Sequence, residues 1–232
     1  MPKPRGLIMY EGPSVLDGEP IVVIATLHSN NEGTGDLIQT WILRSDVNPV
    51  DATKTGQDES VCGNCPHRWF HNGACYVNVG QAPNAVWKAY KRGSYPEYDN
   101  ESSSYFENRI VRLGSYGDPA AAPYETWREI LWHAAGHTGY THQVRHRNFD
   151  PRVGNICMVS ADSPRQAARY QREGYNTFRA KRATDSIIAR EIPCPKQTGT
   201  QCINCRLCTG SSGANIVIDV HGSRKGKFLN AA

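Results

Sequence analysis

Apolar and polar positions along the chain fall into short runs, and the runs change character near residue 109. Pro20–Thr26 is a continuous β-branched run, and Leu37–Leu43 carries a period-two alternation, so both predict strands. The turn-rich segment Ser29–Gly35 between them suits the connection of a small antiparallel meander. Residues 51–80 are rich in Gly, Asn and His and read as loop. Ala82–Tyr90 predicts a short helix, with Pro83 tolerated near its start and Gly93 beyond its end. The polar stretch 93–104 marks either a boundary between an N-terminal segment (1–100) and a second region (101–232), or a long excursion within a single domain.

Beyond 109, strands are expected at 109–114, 137–142, 154–160, 175–179 and 215–220. An amphipathic helix is expected at 123–135, with Trp127, Ile130, Leu131 and Ala134 at helical spacing. A second runs from Pro164 to near Gly174, capped by Ser163. Strand, loop and helix in repeated alternation predict an α/β protein with parallel strands. The expected architecture is an irregular, partial-barrel-like or open β/α sheet with cysteine-rich metal-binding loops. Ligands of such sheets sit at the C-terminal ends of strands. Asp118, His142 and Asp162, just past predicted strands, are therefore the candidate catalytic residues, and His221 occupies a similar position.

Composition narrows the class. The 232 residues carry 26 Lys and Arg against 22 Asp and Glu, and apolar residues make up 39%. That excludes a disordered polyelectrolyte, and no apolar run approaches the length of a membrane helix. The opening Met-Pro-Lys-Pro-Arg-Gly is not followed by a long apolar stretch of the signal-peptide kind, so a cytoplasmic location is expected. Eight cysteines in a reducing compartment are more often metal ligands than disulfides. A secreted disulfide protein is the bland alternative.

The cysteines form two groups. Cys194, Cys202, Cys205 and Cys208 read C-x7-C-x2-C-x2-C. Successive two-residue gaps wrap thiolates around a cluster corner as in ferredoxin-type [4Fe-4S] sites, whereas four-thiolate zinc commonly uses two separated C-x2-C knuckles. Spacing favours one or two [4Fe-4S] clusters, with zinc as the alternative. Cys62, Cys65 and Cys75 form the other group and need a fourth partner. Cys157 is the leading candidate, although a lone thiol inside a strand is equally read as a core residue. His67 and His71 are the alternatives, and a three-thiolate cluster would leave one metal position open to substrate.

Between His142 and Arg190 lie ten Arg and Lys against four acids, a local charge of +6 where the rest of the chain is −2. Arg165, Arg169, Arg172, Arg179, Lys181 and Arg182 are thus candidates for nucleic-acid or nucleotide contact, and Arg165, Arg169 and Arg172 share the face of a solvated helix. A phosphate-cradling glycine loop, a G-x-S-x-G elbow and a paired-histidine nuclease signature are all absent from the sequence.

Several segments together, namely Cys62-x2-Cys65-Pro with Cys75-Tyr-Val, Val111–Pro119, Thr138–Gln143, Met158–Asp162 and Cys202-x2-Cys205-x2-Cys208, resemble an uncharacterised cysteine-rich family found in bacteriophages and plasmids. The resemblance spans about 10–222 and implies a phage protein acting in the host cytoplasm, in genome metabolism. More loosely, the β/α run with a cluster motif is similar to radical S-adenosylmethionine enzymes. Those place C-x3-C-x2-C near the first strand, and this chain lacks that spacing. The expected function is therefore iron–sulfur cluster binding, serving redox or radical chemistry or phage genome metabolism, with a zinc-stabilised nucleic-acid binder as the alternative.

Overall fold

The β-branched runs form strands and pair in nearly their order along the chain. The computed structural model describes residues 3–230. β1 (Gly6–Pro13), β2 (Pro20–Thr26) and β3 (Ile38–Arg44) make the antiparallel meander. β1, missed as a separate strand in the sequence, carries a register shift between Ile8 and Tyr10. β3 then pairs in parallel with β4 (Ile110–Tyr116), so one sheet runs unbroken across residue 100. β5 (Gly136–Thr141), β6 (Met158–Ala161), β7 (Thr177–Lys181), β8 (Glu191–Pro193) and β9 (Asn215–Asp219) continue it in parallel, giving the order β1-β2-β3-β4-β5-β6-β7-β9-β8. The chain is α/β, with an open, mostly parallel nine-stranded sheet that does not close into a barrel.

The helices are α1 (Pro49–Thr55), α2 (Glu59–Cys62), α3 (Ala82–Lys91), α4 (Tyr124–His133), α5 (Val153–Ile156), α6 (Pro164–Arg172), α7 (Cys202–Cys205) and α8 (Lys225–Asn230). α6 begins as the sequence predicts: the Ser163 side chain accepts a hydrogen bond from the Gln166 amide, with Pro164 at the first position. α4 buries Trp127 and Ile130 in the main core, and the Trp127 indole donates to the Pro119 carbonyl at 2.8 Å.

Three elements depart from expectation. The 51–80 segment is not all loop but holds α1, α2 and a 3-10 turn at Trp69–His71. Asn48 caps α1 by accepting from the Val50 and Asp51 amides. The strand expected at 154–160 begins only at Met158, because the Cys157 amide closes a helical turn onto the Val153 carbonyl at 2.9 Å. β8 is three residues ending in a proline, too short to leave a pattern and placed at the sheet edge, where proline is tolerated. Among the described residues no helix is long and apolar enough to cross a membrane.

Candidate metal centre

The C-terminal ends of the parallel strands open into a cavity of about 270 Å³. β4 delivers Tyr116, Gly117 and Asp118 to it, β5 delivers Tyr140 and His142, and β6 delivers Ala161 and Asp162. Cys62, Cys65 and Cys75 line it from the loop before α3, and Cys194, Cys202, Cys205 and Cys208 line it from the segment between β8 and β9. Seven of the eight cysteines therefore converge on one space. All eight are free thiols.

The first loop is fixed by buried polar groups. Arg68 is buried, and its guanidinium donates to Asp58 Oδ1 at 2.6 and 3.1 Å, to the Gly63 carbonyl at 3.1 Å and to the Gly56 carbonyl at 2.5 Å. Gln143, fully buried past β5, donates to the Cys62 carbonyl at 2.9 Å and accepts from the Asn64 amide at 3.3 Å. This clasp requires Gly63: its φ is +56°, and a Cβ there would lie 2.2 Å from Gln143 Oε1. The Trp69 indole donates to the Cys75 carbonyl at 3.0 Å, and Arg224 donates to the Gly73 carbonyl at 2.8 Å while stacking on Trp69.

The second loop has fewer ties. The Gly139 amide donates to the Cys208 carbonyl at 2.9 Å, the Ile203 amide to the Thr34 carbonyl at 3.0 Å, and the Gln201 side chain to the Glu32 carbonyl at 2.9 Å. The 29–35 turn of the meander thus seats α7. Cys208 is buried beside Tyr140, while Cys194, Cys202 and Cys205 are partly exposed.

Burial in the cavity keeps the cysteine thiols protonated. Burial raises the Cys62 thiol well above its usual pKa, with Asp58, Cys65 and Cys75 adding to the rise. Burial pushes Cys75 up to about 11 and Cys208 up to about 12, and it raises Cys194 as well. Grouped, buried thiols lose their protons readily only to a metal that neutralises them together. Arg112 lines the same cavity and donates to the Tyr76 hydroxyl at 2.7 Å. Its Nε and the Tyr116 hydroxyl are buried without a hydrogen-bond partner among the described residues.

Asp118, His142 and Asp162 all line the cavity, with His142 beside Cys65. The buried Asp118 carboxylate accepts from the His142 amide at 2.7 Å and the Ala120 amide at 3.0 Å; burial nonetheless raises its pKa. Asp162 Oδ1 lies 2.8 Å from His67 Nε2 and 3.3 Å from His142 Nε2. Burial works to raise the Asp162 pKa, but hydrogen bonds from His142 and His67 hold it well below the usual carboxylate range. Burial works to lower His142, and the Cys65 sulfur and Asp162 overcome it, leaving the imidazole well above its ordinary value. His67, weighed in the sequence only as a fourth thiolate-site ligand, turns its Nε2 to Asp162 instead. Their 95-residue separation leaves no sequence signal.

Other candidates lie elsewhere. Cys157 does not line the cavity; it is fully buried in the main core, its sulfur occupying the space a side chain at Gly139 would need. His71 sits in the 3-10 turn with its ring against Phe70 and is not a cavity residue. Arg179 is fully buried, donating to both oxygens of Glu191 at 2.7 and 2.6 Å, and buried Lys181 pairs with Asp219 at 2.7 Å. Arg182 is half-buried beside Asp185. Arg165, Arg169 and Arg172 are exposed on α6, with Arg169 paired to Glu173. Comparison of the chain with protein-family models, with curated proteins and with solved structures finds no match to any of them.

Proposed function

We propose that the protein is an iron–sulfur protein whose two cysteine groups hold clusters facing one shared cavity, where redox chemistry acts on a small anionic molecule. The observation that carries this reading is the convergence of seven thiols from loops more than 100 residues apart on a single space at the strand ends. Cys194, Cys202, Cys205 and Cys208 supply a full set of four thiolates for one [4Fe-4S] cluster. Cys62, Cys65 and Cys75 supply three, and with Cys157 in the core such a centre would lack a fourth thiolate from the chain.

Spacing supports clusters over single zinc ions. Four thiolates on one zinc, each about 2.3 Å from the metal, sit about 3.8 Å apart. In a cubane each thiolate binds a different iron, so its sulfurs stand wider. The successive two-residue gaps among Cys202, Cys205 and Cys208 suit that wider arrangement. Arg112, with its orphaned Nε, supplies a cation on the cavity wall that would hold an anionic group of the substrate. Cluster-dependent chemistry in the host cytoplasm also agrees with the resemblance to the phage and plasmid family.

Anaerobic purification or reconstitution with iron and sulfide tests it. The expected product absorbs broadly near 400 nm and contains about eight iron and eight sulfide per chain, as two cubanes require. Cys202→Ser with Cys205→Ser removes about half of each, and Cys157→Ser removes none. Colourless protein carrying stoichiometric zinc overturns the proposal.

A further inference from the structure

We propose a third metal site, adjoining the Cys62–Cys75 group but with no thiol in its ligand set: His67, His142 and Asp162 bind one divalent first-row transition ion at the end of the cavity. Three ligand atoms, one from each residue, lie within 4.8 Å of one another, the group of this kind found among the described residues. Both imidazoles present Nε2 to the same carboxylate oxygen, at 2.8 and 3.3 Å. Ligands about 2.1 Å from a single ion stand about 3.0 Å apart in an octahedron and about 3.4 Å apart in a tetrahedron, so both distances suit one shared ion. The rings cross at 73° with centroids 5.6 Å apart, so they converge on the carboxylate from different directions.

Each ligand is held from behind by its own backbone. The Cys75 amide donates to the His67 carbonyl at 2.9 Å, the His142 amide donates to Asp118 at 2.7 Å, and the Asp162 amide donates to the Gln166 side chain at 2.6 Å. Such outer contacts pre-set the ligands of metal sites. The three come from the first cysteine loop and from the ends of β5 and β6, and all three line the cavity. Two imidazoles and one carboxylate occupy one face of an ion and leave its remaining positions to water or substrate. The ion would therefore face the same space as Arg112, some of its positions free for an oxygen of the bound molecule.

The site does not depend on the clusters, and its test is made without them. Co²⁺ is titrated into full-length protein that has not been reconstituted with iron and sulfide, and the paramagnetically shifted proton spectrum is recorded. Two exchangeable, shifted Nδ1–H signals are expected, one from each imidazole bound through Nε2. His67→Gln and His142→Gln each remove one signal and weaken Co²⁺ binding at least tenfold, and Asp162→Asn weakens it similarly. Cys202→Ser with Cys205→Ser leaves both signals in place. Bound Co²⁺ that shows thiolate charge-transfer absorption and no shifted imidazole protons overturns the site, and that readout on the unmutated protein holds even if a variant fails to fold. Failure of iron–sulfide reconstitution would count against the clusters alone.

Discussion

The two cysteine loops face the same cavity but are held there by different means. The Cys62–Cys75 loop is built on buried polar groups: Arg68 bridges Asp58 and two backbone carbonyls, Gln143 clasps the Cys62–Cys65 turn, and Trp69 and Arg224 tie down its end. The Cys194–Cys208 loop lies mostly at the surface, secured by the amides of Gly139 and Ile203 and by the Gln201 side chain. The first loop is shaped by contacts within the fold itself. The second has many exposed residues and few anchors, which is the profile of a segment whose order comes from what it binds.

Arg68 is the sharpest place to test the first half of that contrast. Arg68→Met keeps the volume but leaves Asp58, 1% exposed, as an uncompensated buried charge. Removing one partner of a buried pair costs about 3–5 kcal/mol. Urea unfolding of the metal-free variant should show a loss of that size, and reconstitution should yield only the cluster of the second loop. A loss below about 1 kcal/mol would mean that the first loop is not braced as described.

Gly63 gives the next largest effect. Gly63→Ala places a methyl group at a φ of +56° and against Gln143 Oε1. Left-handed strain of about 1–2 kcal/mol and overpacking of about 1–3 kcal/mol act together, for a cost of about 3 kcal/mol. The amide of Gln143 is itself fully buried, so it has little room to retreat. Thermal unfolding of the metal-free variant measures the cost, and the iron content after reconstitution measures the loss of the Cys62–Cys75 centre.

How much of this was readable from the sequence follows from which interactions are local. The β-branched runs, the Ser163-Pro164 helix start and the cysteine spacings are local patterns, and they carry the α/β class and the grouping of the cysteines. β8 and α5 were missed because elements of three or four residues leave no periodicity. That both thiol groups share one cavity depends on the order of strands in the sheet, which no local pattern encodes. Arg179 and Lys181 counted as basic surface because composition is blind to burial, yet each spends its charge on an internal acid. Arg68 and Gln143 carried no signal at all, since their partners are backbone carbonyls and a distant acid.

Removing metal should separate the two loops directly. Trypsin cuts after Lys and Arg; the second loop offers exposed Lys196 and Arg206, whereas the only Lys or Arg between Cys62 and Cys75 is the buried Arg68. Ligand binding suppresses opening in proportion to its free energy, about 1.4 kcal/mol for each tenfold. Chelation should therefore speed cleavage at Lys196 and Arg206 by about tenfold or more and leave the Arg68 bond intact, as mass analysis of the fragments would show. Equal cleavage in both loops would erase the distinction.

The smallest expected effect is at Gly199, and it is informative because the change is chemically the same as at Gly63. Gly199 also has a positive φ, +95°, but a Cβ there meets nothing within 4 Å. Only backbone strain remains, and it falls on a loop with exposed neighbours that can relax around it. Gly199→Ala should therefore cost no more than about 1 kcal/mol in urea unfolding of the metal-free protein. It should also leave the cluster of the first loop at full occupancy after reconstitution. If the two alanine variants proved equally costly, neighbour contacts would not be what distinguishes the loops. Rigidity would then belong to the left-handed glycines themselves, and the second loop would be as preformed as the first.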